Sequence, residues 1–221
     1  MKKNQYLLLL ISLFPCFVLA QNTDIACKKI TKIHEIIIKH HYKPKSVNDS
    51  LSVAIYENFL NTLDEDKFYF TSVEATKLSK HKLLIDNYIL DKNFAFLDEF
   101  FITYKNALKR QLTLIKAIES EPFSFNTKDT IFFTRKNKSY IKDEKVQKRI
   151  LKKRITHDIL IDISKQSKNI DSIQQNFAKI SQTSKSKIFD NYKCKINSII
   201  SNEDDLKSDF YNSFYNAFSS V

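Results

Sequence analysis

The side chains that could carry chemistry in this 221-residue chain are five histidines, three cysteines and an abundance of serine and lysine. A metal site needs ligands that converge. His34 and His41 lie seven residues apart, about 10.5 Å along one helical face at a rise of about 1.5 Å per residue. Zinc–nitrogen bonds are only about 2.0–2.1 Å long. His40 and His41 are adjacent and point to different faces, while His81 and His157 are isolated. Helix caps or packed side chains are therefore the expected roles, with no metal ligand among them. A serine nucleophile would need oxyanion donors and a base whose pKa is lowered by burial. No serine–lysine pair is marked out for that, so no catalytic residue and no cofactor is expected.

Two further groups invite a reading. Lys148, Arg149, Lys152, Lys153 and Arg154 form the densest charge run. They could face an anionic partner, or they could be a solvated helix face. They wrap most of a helix circumference, and charge runs alone discriminate poorly, which favours the solvated face. Cys27 and Cys194 could staple an early helix to a late one by a disulfide, or could serve as small apolar side chains.

The elements that must position these residues are helical. The chain has no glycine, where average usage of about 7% would supply roughly 15. Tight hairpins lose their best residue for positive φ. The P-loop, the dinucleotide-binding fingerprint and the G-x-S-x-G elbow are excluded outright. An all-α fold of about seven to nine helices in an irregular multi-helix bundle is expected.

Residues 1–20 read as a signal peptide. Lys2 and Lys3 form the basic start, residues 6–18 the apolar stretch, and cleavage is expected between Ala20 and Gln21. The run is shorter than the ~20 residues of a membrane span. Phe14 and Pro15 are too bulky for lipoprotein processing at Cys16. Export to a bacterial periplasm follows as the expectation, with residues 21–221 as one domain. Losing Lys2 and Lys3 takes the net charge from +11 to +9. A basic exported protein never meets the genome, so nucleic acid is not an expected partner. Anionic envelope components or acidic proteins suit its charge instead.

Helical patterning covers residues 24–41, then 49–63, where Leu51, Ile55, Phe59 and Leu63 recur every fourth position. Thr71 and Glu74 make a capping box, and a short helix is expected around 83–90. The longest stripe, Leu97, Phe100, Phe101, Tyr104, Leu108, Leu112, Ile115 and Ile118, predicts a helix over 93–119 that ends before Pro122. Residues 122–142 are irregular. Helices over 143–164 and 171–200 follow, then a capped aromatic helix bearing Leu206, Phe210, Phe214 and Phe218.

The wording of several segments resembles the helical N-terminal domain of tail-specific proteases, also called C-terminal processing peptidases (S41 family). That family shows a His-Tyr pair followed by L-S-x-x-I-Y-x-x-F-L-x-x-L-D-x-x-K-x-Y-F. Here the same pattern is carried by His41-Tyr42, Leu51-Ser52, Ile55-Tyr56, Phe59-Leu60, Leu63-Asp64, Lys67 and Tyr69-Phe70. Pro122-Phe123-Ser124-Phe125 resembles the family's P-F-x-F segment, and Lys152-Lys153-Arg154-Ile155 with Asp158 and Leu160 its basic helix. Asn202-Glu203-Asp204 and the aromatic helix resemble the lead into the family's D-P-H-T motif, which does not occur here. Leu151 stands where relatives usually carry tryptophan, and Asp91-Lys92-Asn93 replaces a turn that often holds glycine.

The resemblance implies a non-catalytic domain of an exported serine protease. The family's serine–lysine dyad and PDZ domain belong to segments absent from this sequence. Its expected role is to scaffold a substrate enclosure or dock an adaptor, as a truncated or split product. The alternative is a free-standing periplasmic helical module that regulates a full-length protease or binds its adaptor. Partners would be proteins (a protease core, an adaptor lipoprotein or a protein substrate), with membranes met only through them. Phe210, Phe214 and Phe218 are a candidate interface toward a protease core, with burial in their own domain as the bland alternative. Lys152, Lys153 and Arg154 are the second candidate interface.

Overall fold

The structure, a computed structural model, describes residues 17–125 and 130–221, with side chains from Cys27 onward. Among the described residues there are nine α-helices and no β-sheet, an irregular multi-helix bundle as expected. They are α1 (Phe17–His40), α2 (Asp49–Leu63), α3 (Ser72–Leu78), α4 (Ile85–Leu90), α5 (Phe96–Glu119), α6 (Glu144–Ser164), α7 (Ile170–Gln175), α8 (Phe177–Ile200) and α9 (Glu203–Ser219). A single 3₁₀ turn spans Ser79–His81. An isolated parallel bridge joins Thr71 to Ile141.

Two differences from the sequence expectation concern helix limits. α1 begins at Phe17 rather than near residue 24, so the expected cleavage point between Ala20 and Gln21 lies within a helix. The side chains of those two residues, and the whole of residues 1–16, lie outside the described residues. The single helix expected over 171–200 is broken at Asn176, whose backbone leaves the helical region (φ −108°, ψ 13°). Its side-chain amide donates to the Ser172 carbonyl at 3.0 Å, a local bond by which asparagine competes with helix continuation.

The chain forms two compact units, Met1–Phe59 with Lys80–Phe100 and Tyr211–Val221, and Leu60–Ser79 with Phe101–Phe210. The first has an aromatic core. Phe59 packs on Phe100 at 5.5 Å and edge-on to Phe214 at 5.2 Å, and Phe96 meets Phe214 at 5.7 Å. Such ring pairs contribute about 0.5–1.5 kcal/mol beyond their area burial. Ser52 of the L-S motif is fully buried and accepts the Asp86 backbone N–H at 2.7 Å while donating to the Asp86 carboxylate at 2.7 Å. That exchange satisfies one of the orphan donors of α4.

The second unit is built on aliphatic stripes. α6 buries Leu151, Ile155, Ile159 and Ile163 at steps of four against Leu114, Ile115 and Ile118 of α5 and Phe189 and Ile196 of α8. Asp143 caps α6 by accepting the Val146 N–H at 2.9 Å.

Candidate protein-docking surface

The framework of the second unit starts at the turn after α2. Asp64 is only 3% exposed, and its carboxylate accepts the backbone N–H groups of Phe68 at 2.7 Å, Tyr69 at 3.0 Å and Phe70 at 2.8 Å. Burial pushes this carboxyl above the ordinary aspartate range, although the three N–H donors pull the other way. The turn closes only because Lys67 adopts a left-handed φ of 50°. The Leu-Asp…Lys…Tyr-Phe pattern is thus a backbone cradle around one carboxylate. On its far side Arg110 of α5 donates to the Tyr69 carbonyl, to both oxygens of Glu74 and to Gln147 of α6.

This framework places basic residues of α6 beside residues 122–125 and 130–135. Asp66 accepts the Arg135 backbone N–H at 3.1 Å, the Thr134 hydroxyl at 3.3 Å and an Arg154 N–H at 3.3 Å. The Arg154 guanidinium also lies 4.7 Å from the Phe68 ring centroid. At the other end Glu121 pairs with Lys148 at 2.7 Å and Lys152 at 2.5 Å. Those two ammonium donors hold the Glu121 carboxyl down at about 2.

Between these anchors lies a groove of about 690 Å³, walled by Pro122, Ile131, Phe132 and Ile150 and by Arg135, Arg149, Lys152, Lys153 and Arg154. None of the described lining residues is acidic. The expected solvated face is therefore only part of the description. Four of the cluster's five residues, Arg149, Lys152, Lys153 and Arg154, join Arg135 from another segment in one concave surface. Neither Arg135 nor Phe132 is marked as a site residue by the sequence, because 122–142 carries no period. The Phe132-Phe133 pair followed by Arg135, Lys136 and Lys138 was the available signal. A second cavity, about 350 Å³, is lined by Phe68, Gln111, Ile115, Leu151 and Ile196 among others. The Gln111 side-chain nitrogen is buried there without a hydrogen-bond partner.

The aromatic face of α9, a candidate interface in the sequence, is core. Phe210, Phe214 and Phe218 are 1%, 0% and 4% exposed. Phe210 packs on Phe101, Phe214 on Phe59 and Phe96, and Phe218 near His34. Cys27 and Cys194 are thiols, not a disulfide. Cys27 donates to the Lys92 carbonyl at 2.9 Å and Cys194 is exposed. His81 bonds Tyr88 and Glu99, His157 pairs with Asp158, and the His41 ring accepts the Lys43 N–H.

No curated protein matches the chain. Residues 33–220 match the model of the tail-specific protease N-terminal domain, the family whose wording the segments from Leu51 to Phe70 resemble. With that match spanning most of the sequence, the chain belongs to the tail-specific protease N-terminal domain family.

Proposed function

We propose that this domain is a non-catalytic, protein-binding part of an exported tail-specific protease system, serving as a substrate-enclosure or adaptor-docking scaffold. The observation that carries the reading is the family match over residues 33–220, joined to a concave basic surface of the kind that recognises acidic protein segments. Residues 1–20 serve as a signal peptide removed before Gln21, residues 21–221 make up the domain, and it works in the periplasm. The basic start, apolar stretch and small residue at Ala20 support this.

The test uses the source bacterium. Cells are fractionated, the product is detected with an antibody against residues 33–220, and its mass and N-terminus are determined. A periplasmic product beginning at Gln21 is expected. Purified domain is then added to a reporter protein being trimmed at its C-terminus by periplasmic extract. A changed trimming rate is expected for a scaffold or regulator. A cytoplasmic product that keeps residues 1–20, or trimming indifferent to the domain, would overturn the proposal. The band size separates a stand-alone module from part of a longer protease.

A further inference from the structure

We propose that the cavity lined by α5, α6 and α8 binds a small molecule made of an aromatic ring and one carbonyl or carboxylate group. Such a ligand site goes beyond the protein-binding reading above and does not depend on it.

The cavity combines an apolar surface with a few polar groups. Its volume of about 350 Å³ falls at the small end of the roughly 300–1,000 Å³ of ligand pockets. The described residues that line it all belong to the second unit. Phe68, Ile115, Leu151 and Ile196 are buried and supply apolar contact. The Tyr69 and Tyr192 rings join Phe68 in the lining, and the Arg154 guanidinium, 4.7 Å from the Phe68 ring centroid, adds a planar cation. Rings and guanidinium planes favour edge-on or stacked contact with another ring. A flat aromatic body suits this lining better than a bare ion.

The hydrogen-bonding capacity left over is rich in donors. Gln111 is only 2% exposed, and its side-chain nitrogen has no hydrogen-bond partner. The terminal amide torsion of glutamine is broad, so a donor turns toward a ligand at little cost. Neither the Lys195 ammonium nor the Asn191 side-chain amide has a partner among the described residues. Asp158 is the one acid in the described lining, and both of its oxygens are engaged. Oδ2 accepts the Tyr192 hydroxyl at 2.7 Å, and Oδ1 lies 3.1 Å from Nδ1 of His157. Arg154 is tied to Asp66 at 3.3 Å. The missing element is an acceptor, which a carbonyl or carboxylate on the ring supplies. Two cations and one carboxylate in the described lining favour a neutral or singly anionic ligand over a cationic one.

The experiment titrates the isotope-labelled full chain with benzamide, benzoate, benzene and benzylammonium. NMR follows the Gln111 side-chain amide and the backbone amide of Ile115. Benzamide and benzoate should shift both and bind at least tenfold tighter than benzylammonium and several-fold tighter than benzene. Leu151→Trp, which places a ring of the protein's own in the space, should weaken benzamide at least tenfold. Gln111→Leu should erase the preference for benzamide over benzene while leaving benzene affinity within about twofold, a split that a merely structural role would not produce. Lys168→Glu, an exposed lysine elsewhere on the unit, should change affinity less than twofold. Circular dichroism checks that each variant folds, and a Leu151→Trp chain that does not is replaced by Leu151→Phe.

Resonances unmoved by benzamide and benzoate overturn the proposal, since the cavity would then hold only water. Equal binding of benzylammonium overturns it too, as does a benzamide affinity untouched by Leu151→Trp or by Gln111→Leu. So does binding of a phenylalanine-containing tetrapeptide without any binding of benzamide, because the cavity would then receive a partner's side chain.

Discussion

Arg110 holds Glu74 through two parallel hydrogen bonds, Nη1 to Oε1 at 2.7 Å and Nη2 to Oε2 at 2.8 Å. Burial alone would raise the Glu74 carboxyl, but this fork and the donors of Thr71 hold it below the ordinary glutamate range. The same glutamate completes the capping box of α3. One side chain thus closes a local helix start and joins it to α5.

Replacing Arg110 should expose how much of the second unit depends on that fork. Removing one partner of a buried ion pair costs about 3–5 kcal/mol. Here the two side chains keep 16% and 22% exposure, so about 3 kcal/mol is expected for Arg110→Ala. Arg110→Lys keeps the charge but loses the planar fork, and about 2 kcal/mol is expected from the charged hydrogen bonds it forfeits. Urea unfolding would measure both. A lysine variant as stable as the parent would mean that charge alone matters.

Lys92 adopts a left-handed φ of 54° in the turn between α4 and α5. A non-glycine residue there costs about 1–2 kcal/mol, against which glycine adds about 0.5–1 kcal/mol of backbone entropy. Lys92→Gly should therefore stabilise the fold by about 0.5–1 kcal/mol, read as a higher denaturation midpoint. Lys92→Ala should bring no such gain, since alanine keeps the Cβ.

Leu151 borders the 350 Å³ cavity with Phe68, Ile115 and Ile196. A tryptophan ring at this place would occupy part of that space. Leu151→Trp should raise the melting temperature by about 2–4 °C, the equivalent of about 1 kcal/mol of cavity filling in a chain of this size. A lower melting temperature would show that the ring crowds its neighbours instead.

Glu121 gives the basic surface an acid limit. Hydrogen bonds from Lys148 and Lys152 hold its carboxyl at about 2, below the ordinary 4.5. Because the folded-state pKa is depressed, the stability it contributes is present above about pH 4.5 and is lost as pH falls toward 2. Glu121→Gln should flatten this part of the stability profile between those values and leave stability above pH 5 less salt-dependent. Thermal melts at several pH values would show it. An unchanged acid limb would mean that the two lysine contacts do not persist in solution.

Much of the fold was legible from residue spacing. The four-residue step of Leu51, Ile55, Phe59 and Leu63 predicted the buried face of α2, and Thr71 with Glu74 announced the start of α3. These features are local, since a side chain's place on a helix follows from the helical period alone. The break at Asn176 was harder, because a single hydrogen bond to Ser172 decides it within an otherwise helical pattern.

The candidate surfaces divided the same way. By itself the sequence determined that α9 has an aromatic face and α6 a basic one, along with the all-α class and the family. Only the tertiary structure decided that Phe210, Phe214 and Phe218 are core, because Phe101 comes from a distant segment to cover the first, Phe59 and Phe96 the second, and His34 the third. Likewise Asp66 ties the segment around Arg135 to Arg154, turning part of a charge run into a groove. Periodicity records which residues share a face, whereas long-range packing determines what lies against that face.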